Sequence, residues 1–181
     1  DGLDDILIGV PGANNNFGRA DLYALPSGEL LHSQGFIFQE LFGDEVVGFG
    51  DITGDGVPDY GVATAFTDGG LAQMDYPGCL YGYGGAGGGI PGYPKPCAPI
   101  FCDAAGDVNG DGVNDYLLGE WEYAITDTKF VALRSGVSHA ALDSPVESDG
   151  VAEVGAFAGR DVDGDGQPEY LFTYSDSSQS R

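Results

Sequence analysis

Asp107-Val-Asn-Gly-Asp-Gly-Val-Asn-Asp115 runs directly into Tyr116-Leu117-Leu118-Gly119, and this passage from an acidic nonapeptide into a short apolar run decides the fold. The string recurs as Asp51-Ile-Thr-Gly-Asp-Gly-Val-Pro-Asp59 and as Asp161-Val-Asp-Gly-Asp-Gly-Gln-Pro-Glu169, with starts at 51, 107 and 161 that lie 56 and 54 residues apart. Asp1-Gly2-Leu3-Asp4-Asp5 fits as the second half of a fourth copy, in which Asp1 and Asp5 make a partial site. The approximate repeats are 1–50, 51–106, 107–160 and an incomplete 161–181, all within a single segment spanning 1–181.

Each acidic string is followed by four to seven apolar residues: Ile6 to Val10, Tyr60 to Phe66, Tyr116 to Gly119 and Tyr170 to Tyr174. These runs are too short for core helices and are rich in β-branched and aromatic residues, which predicts strands. Val46 to Gly50 and Val151 to Phe157 read as strands leading into the strings, so each string is a strand connection. Leu22 to Gly28 parallels Phe130 to Gly136 at an offset of 108, each ending in a Ser-Gly turn. No stretch keeps apolar residues at helical spacing, so the chain is expected to be all-β. With about four antiparallel strands per period, each period corresponds to one blade of a β-propeller.

Side-chain oxygens at positions 1, 3, 5 and 9 with a carbonyl at position 7 can wrap a hard cation. The donors are Asp51, Thr53, Asp55, Val57 and Asp59 in the first complete loop, and Asp107, Asn109, Asp111, Val113 and Asp115 in the second. In the third they are Asp161, Asp163, Asp165, Gln167 and Glu169. An all-oxygen set on a flexible peptide suits Ca²⁺ better than Mg²⁺, so about three calcium sites are expected. Thr53 offers only a neutral hydroxyl at position 3, which predicts weaker binding in the Asp51 loop. An EF-hand would place a bidentate Glu at position 12, where this chain has Val62, Leu118 and Phe172, and no helix signal flanks the loops.

Charge points the same way. Six Lys and Arg stand against 29 Asp and Glu, a formal net charge of −23, which excludes a basic nucleic-acid footprint. No apolar run is long enough for a transmembrane helix, so no membrane insertion is expected. The first residues carry no initiating Met and no secretion signal, and read as the cut end of a processed or longer chain. From Pro77 to Pro99 glycine and proline dominate, which predicts a long exposed loop in place of regular strands. Cys79, Cys97 and Cys102 fall within 24 residues, so a disulfide from Cys79 to Cys97 or Cys102 is a candidate staple for that loop.

The acidic strings with their flanking strands, including Ile6-Leu-Ile-Gly-Val-Pro-Gly-Ala13 and Val47-Gly-Phe-Gly-Asp51, resemble the FG-GAP repeats of integrin alpha-subunit propellers and of bacterial secreted proteins. The resemblance covers most of the chain and is poor from Phe66 to Ala104 and from Glu120 to Tyr123. It implies a seven-bladed propeller carrying Ca²⁺ in loops on one face, serving extracellular or cell-surface adhesion or ligand presentation. Three periods and a strand fall short of the usual four-blade minimum, so a partial propeller is expected, completed by more polypeptide or by further copies. The functional expectation is a non-catalytic, calcium-binding adhesion or structural module with a protein or glycan ligand. The alternative is a lectin or polysaccharide-active enzyme on the same scaffold, with Trp121 and Tyr123 as a sugar platform. His32 and His139 lack the companions of a triad or zinc site, and no catalytic residue is assigned.

Overall fold

The computed structural model describes residues 3–35, 41–64, 78–93, 95–96, 99–122, 128–144, 146–148, 154–158, 164 and 170–174. They form an all-β chain of four antiparallel sheets in sequence order. Sheet I holds β1 (Ile6–Gly9), β2 (Arg19–Tyr23) and β3 (Leu30–Gly35). Sheet II holds β4 (Glu45–Gly50), β5 (Asp59–Ala63), β6 (Cys79–Tyr83) and β7 (Lys95–Pro96). Sheet III holds β8 (Pro99–Gly106), β9 (Asp115–Glu122), β10 (Thr128–Arg134) and β11 (Val146–Ser148), and sheet IV pairs β12 (Val154–Ala158) with β13 (Tyr170–Tyr174). Each sheet is a meander in which neighbours in sequence are neighbours in space. The single helical turn, α1 (Ala13–Asn16), contains Asn14, Asn15 and Asn16 at positive φ, a conformation asparagine tolerates better than most residues.

The strands expected after each acidic string are present as β1, β5, β9 and β13, and the two expected before a string as β4 and β12; β8, which leads into the Asp107 string, was not expected. A bulge ends the approach in the same way twice. Gly50 opposes Asp59 and Gly106 opposes Asp115, and both glycines have positive φ, 71° and 74°. That backbone turn is open to glycine at no steric cost, and it delivers the chain into the acidic loop.

The core lies between sheets. On β5 the side chains alternate: Tyr60 and Val62 pack toward sheet I with Ala20, Phe42, Leu7 and Leu22. Ala63 packs toward sheet III with Val47, Phe49, Leu80, Cys102, Tyr116 and Leu118. β5 is buried along its whole length because a sheet covers each of its faces. First strands adjoin one another, β4 on β8 and β8 on β12. Phe42-Gly43 wedges between sheets I and II, where Phe42 N–H donates to Phe17 O at 3.3 Å and Gly43 N–H to Ala63 O at 3.0 Å.

Two expectations are corrected. The Gly/Pro-rich stretch from 77 to 99 contributes β6 and β7 to sheet II, with Leu80 1% exposed. Glycine serves packing there, since a Cβ on Gly82 would lie 2.7 Å from the Tyr93 ring. The offset of 108 between the first and third repeats is also displaced. Ala24 N–H bonds Glu29 O and Gly28 N–H bonds Ala24 O, as Ser135 N–H bonds Ala140 O and His139 N–H bonds Ser135 O. The turns therefore align at an offset of 111, with Gly28 (φ 70°) matched by His139 (φ 61°) and not by Gly136.

Candidate functional site

Two acidic loops are described, and they are built alike. In the first, Asp51 Oδ1 accepts the N–H groups of Gly54 and Asp55 at 2.7 and 3.0 Å, and Oδ2 accepts that of Gly56 at 2.8 Å. In the second, Asp107 Oδ1 and Oδ2 accept those of Asp111 and Gly112 at 3.0 and 2.8 Å. Position 5 caps the next turn: Asp55 Oδ1 accepts Val57 N–H at 2.9 Å and Asp111 Oδ1 accepts Val113 N–H at 3.0 Å. Gly56 and Gly112 hold φ of 86° and 91°, the left-handed turn that glycine at position 6 permits.

Position 9 is the structural keystone. Asp59 is 2% exposed, with Oδ2 accepting Ile52 and Thr53 N–H at 2.9 Å each and Oδ1 accepting Gly85 N–H at 3.1 Å. Asp115 is 0% exposed, with Oδ2 accepting Val108 and Asn109 N–H at 2.9 and 3.1 Å and Oδ1 accepting Gly136 N–H at 3.1 Å. Each buried carboxylate thus ties its own loop to the turn that follows the next strand but one. A buried charge of this kind is tolerated because three amide donors replace its water. Asp5 repeats part of the pattern, accepting Leu25 N–H at 3.3 Å.

Sequence reasoning assigned position 9 to an ion alone and missed its amide partners. Gly85 and Gly136 are recognisable afterwards by a shared contact: a Cβ on Gly85 would lie 2.0 Å from Pro58 O, and one on Gly136 2.1 Å from Asn114 O. The two loops differ at position 3. Asn109 Oδ1 accepts Asp111 N–H at 2.9 Å while its Nδ2 donates to Asp115 Oδ1 at 3.4 Å. Thr53 Oγ1 reaches only Asp51 Oδ1, at 3.5 Å.

The carboxylates are largely engaged by backbone amides, and among the described residues no three acidic, histidine or cysteine side chains form a group that could hold a metal ion. The donor chemistry still fits a hard cation, because Asp55 and Asp111 are exposed and a carboxylate accepting one amide retains further lone pairs. Asp1, the third-loop donors Asp161, Asp163, Asp165, Gln167 and Glu169, and Cys97 lie outside the described residues. Cys79 lies on β6, half buried, and Cys102 is buried on β8.

Both histidines have structural partners. His32 Nε2 donates to Gly85 O at 3.0 Å. His139 Nδ1 lies 2.6 Å from the Tyr116 hydroxyl and 3.3 Å from that of Tyr93. A cleft of about 380 Å³ opens beside His139, lined by Ile52, Thr53, Ile90, Pro91, Tyr93, Val137 and His139 itself. Trp121 sits on β9 opposite Lys129, and Tyr123 lies outside the described residues.

At the start of β4, burial raises the Asp44 carboxyl above its ordinary value. Burial first, then the neighbouring Asp44, raises that of Glu45, opposed by the Cys102 backbone and reinforced by Asp103. No protein-family model matches the chain, and no curated protein matches it. No helix among the described residues is long and apolar enough to cross a membrane.

Proposed function

We propose that the chain is a non-catalytic module of an extracellular, calcium-stabilised β-propeller resembling FG-GAP proteins, with an adhesive or structural role. The observation that carries this reading is the recurrence of one acidic loop, with the same amide partners for the carboxylates at positions 1, 5 and 9 apart from one extra bond at Asp51, between the first two strands of two adjoining meander sheets. Packing of successive first strands, β4 on β8 and β8 on β12, supports blades arranged about an axis.

The loops close on their own amides, so the ion's part is to relieve charge and not to make the turn. Three carboxylates within nine residues repel one another at neutral pH, on a chain of net charge −23. Asp51, Asp55 and Asp59 with the Val57 carbonyl would hold one Ca²⁺, and Asp107, Asn109, Asp111 and Asp115 with the Val113 carbonyl a second. A third would fall to the Asp161 loop. Bound Ca²⁺ supplies positive charge and oxygen coordination and takes no part in bond making. A ligand would be a protein or glycan, or a further copy of the chain.

Titration calorimetry with Ca²⁺ tests this. The parent chain should bind with dissociation constants of roughly 10⁻⁴ to 10⁻³ M, the range of extracellular modules. Asp55→Ala and Asp111→Ala should each remove one site. Absence of any binding heat, or binding unaffected by both substitutions, would refute the proposal.

A further inference from the structure

Position 3 of the Asp107 loop is Asn109, the one asparagine of the chain that precedes a glycine; Asn14, Asn15, Asn16 and Asn114 precede Asn15, Asn16, Phe17 and Asp115. Asparagine amides are among the thermolabile groups of proteins. Asn109 and Gly110 are both exposed, Gly110 holds φ of 75°, and a Cβ placed on it would meet nothing within 4 Å. Water and the glycine nitrogen therefore reach the Asn109 side chain without a crowding neighbour. In the Asp51 loop the equivalent amide, Gly54 N–H, is held by Asp51 Oδ1 at 2.7 Å, whereas among the described residues no hydrogen bond holds Gly110 N–H. The Asp-Gly pairs of the same loops differ, since Gly56 and Gly112 N–H are each held at 2.8 Å by the carboxylate at position 1. The Asn109 side chain is itself oriented, with Oδ1 accepting Asp111 N–H at 2.9 Å and Nδ2 donating to Asp115 Oδ1 at 3.4 Å.

We propose that Asn109-Gly110 is a self-modification site, at which the side-chain amide is lost to water and position 3 becomes aspartate or isoaspartate. The Gly110 nitrogen gives its proton to solvent base and bonds to Asn109 Cγ. The charge that builds on Oδ1 faces Asp111 N–H, which stabilises it as an oxyanion donor does. The Cγ–Nδ2 bond then breaks, Nδ2 takes a proton from water and leaves as ammonia, and a cyclic imide joins residues 109 and 110. Water opens the imide: attack at Cγ leaves aspartate, and attack at the main-chain carbonyl of residue 109 leaves isoaspartate. One water is consumed and one ammonia released, and nothing is oxidised or reduced. The product changes what the loop requires. An aspartate at position 3 reproduces the Asp163 donor of the third loop. It adds a carboxylate for Ca²⁺, and ligand charge count tunes affinity in such loops. It also replaces the Nδ2–H donor beside buried Asp115 with a like charge, an unfavourable pairing without a cation. This consequence rests on the calcium reading above, while the modification itself rests on the loop geometry alone.

Peptide mass spectrometry of the folded chain, aged in warm, mildly alkaline buffer with chelator, gives the test. The peptide holding Asn109 should gain the mass of O–H over NH₂ and split by chromatography into aspartate and isoaspartate forms, while Asn14, Asn15, Asn16 and Asn114 keep their amides. Asn109→Gln, whose ring closure would need one more atom, should keep its amide under the same conditions. Asn109→Asp supplies the main product directly. It should bind Ca²⁺ in that loop roughly tenfold more tightly by calorimetry and unfold at lower urea than the parent in chelator. An Asn109 amide that survives as long as those of the other asparagines would overturn the proposal, and so would loss confined to chain unfolded in urea. An Asn109→Asp chain that is neither tighter in calcium nor weaker in chelator would overturn the consequence drawn for the loop. The ageing readout contains no ion, so its failure can be told from a failure of calcium binding in the calorimeter.

Discussion

Replacing Asp115 with alanine removes the acceptor for three backbone amides, those of Val108, Asn109 and Gly136. Hydrogen bonds to a charged partner contribute roughly 1.5–3 kcal/mol each, and an amide left buried without a partner costs about 1–3 kcal/mol. The Gly136 bond is buried, so its donor bears the full penalty. The two loop donors lie in partly buried bonds at the surface and recover water, which reduces their share to about 1 kcal/mol each. The sum is about 3–5 kcal/mol, a large part of the roughly 5–15 kcal/mol that holds a domain folded. Asp111→Ala is the contrast: it exposes one surface amide, Val113 N–H, and should cost about 0.5 kcal/mol. Urea unfolding in chelator reads both without any ion contribution. If Asp115→Ala and Asp111→Ala destabilise equally there, the carboxylate at position 9 is not the keystone and its burial has been misread.

Other perturbations follow from the same contacts. Gly43→Ala should destabilise by at least about 2 kcal/mol in urea unfolding, because its φ is 90° and a Cβ would sit 2.4 Å from Arg19 O. Glu45→Gln should raise stability at neutral pH: the raised carboxyl favours the protonated form in the folded state, so stability is lost as pH rises through the folded pKa. The gain should vanish below about pH 4, where both states are protonated, and urea midpoints from pH 3 to 8 would check it. Thr53→Asp should tighten calcium binding in the Asp51 loop by calorimetry, since a carboxylate replaces a hydroxyl at position 3. If the Asp51 loop of the parent fills before the Asp107 loop, that ranking is wrong.

The strands around the acidic loops were legible because a short β-branched run beside a glycine-rich turn has few other solutions. Ile6–Gly9, Asp59–Ala63 and Tyr170–Tyr174 all lie within a residue or a few of their expected places. β6 was not legible from its own residues. Gly82 looks like a strand breaker until the Tyr93 ring that fills its missing side chain is brought alongside. The alignment of the first and third repeats failed because a Ser-Gly pair occurs in both, while the hydrogen bonds align Gly28 with His139, a non-glycine residue in the left-handed region. At the site, the donor list could be read from spacing, but the second task of position 9 could not. Its amide partners Gly85 and Gly136 lie 26 and 21 residues downstream, across a strand pair.

The calcium claim is met most directly by thermal unfolding of the chain in chelator and in about 5 mM Ca²⁺. With millimolar-range affinities each occupied loop adds only about 1 kcal/mol through linkage, so two or three loops should raise the melting temperature by several degrees. Asp55→Ala and Asp111→Ala should each reduce that rise while changing the melting temperature in chelator little. Identical melting in chelator and calcium would contradict the account, leaving the acidic loops as turns held by their own amides alone.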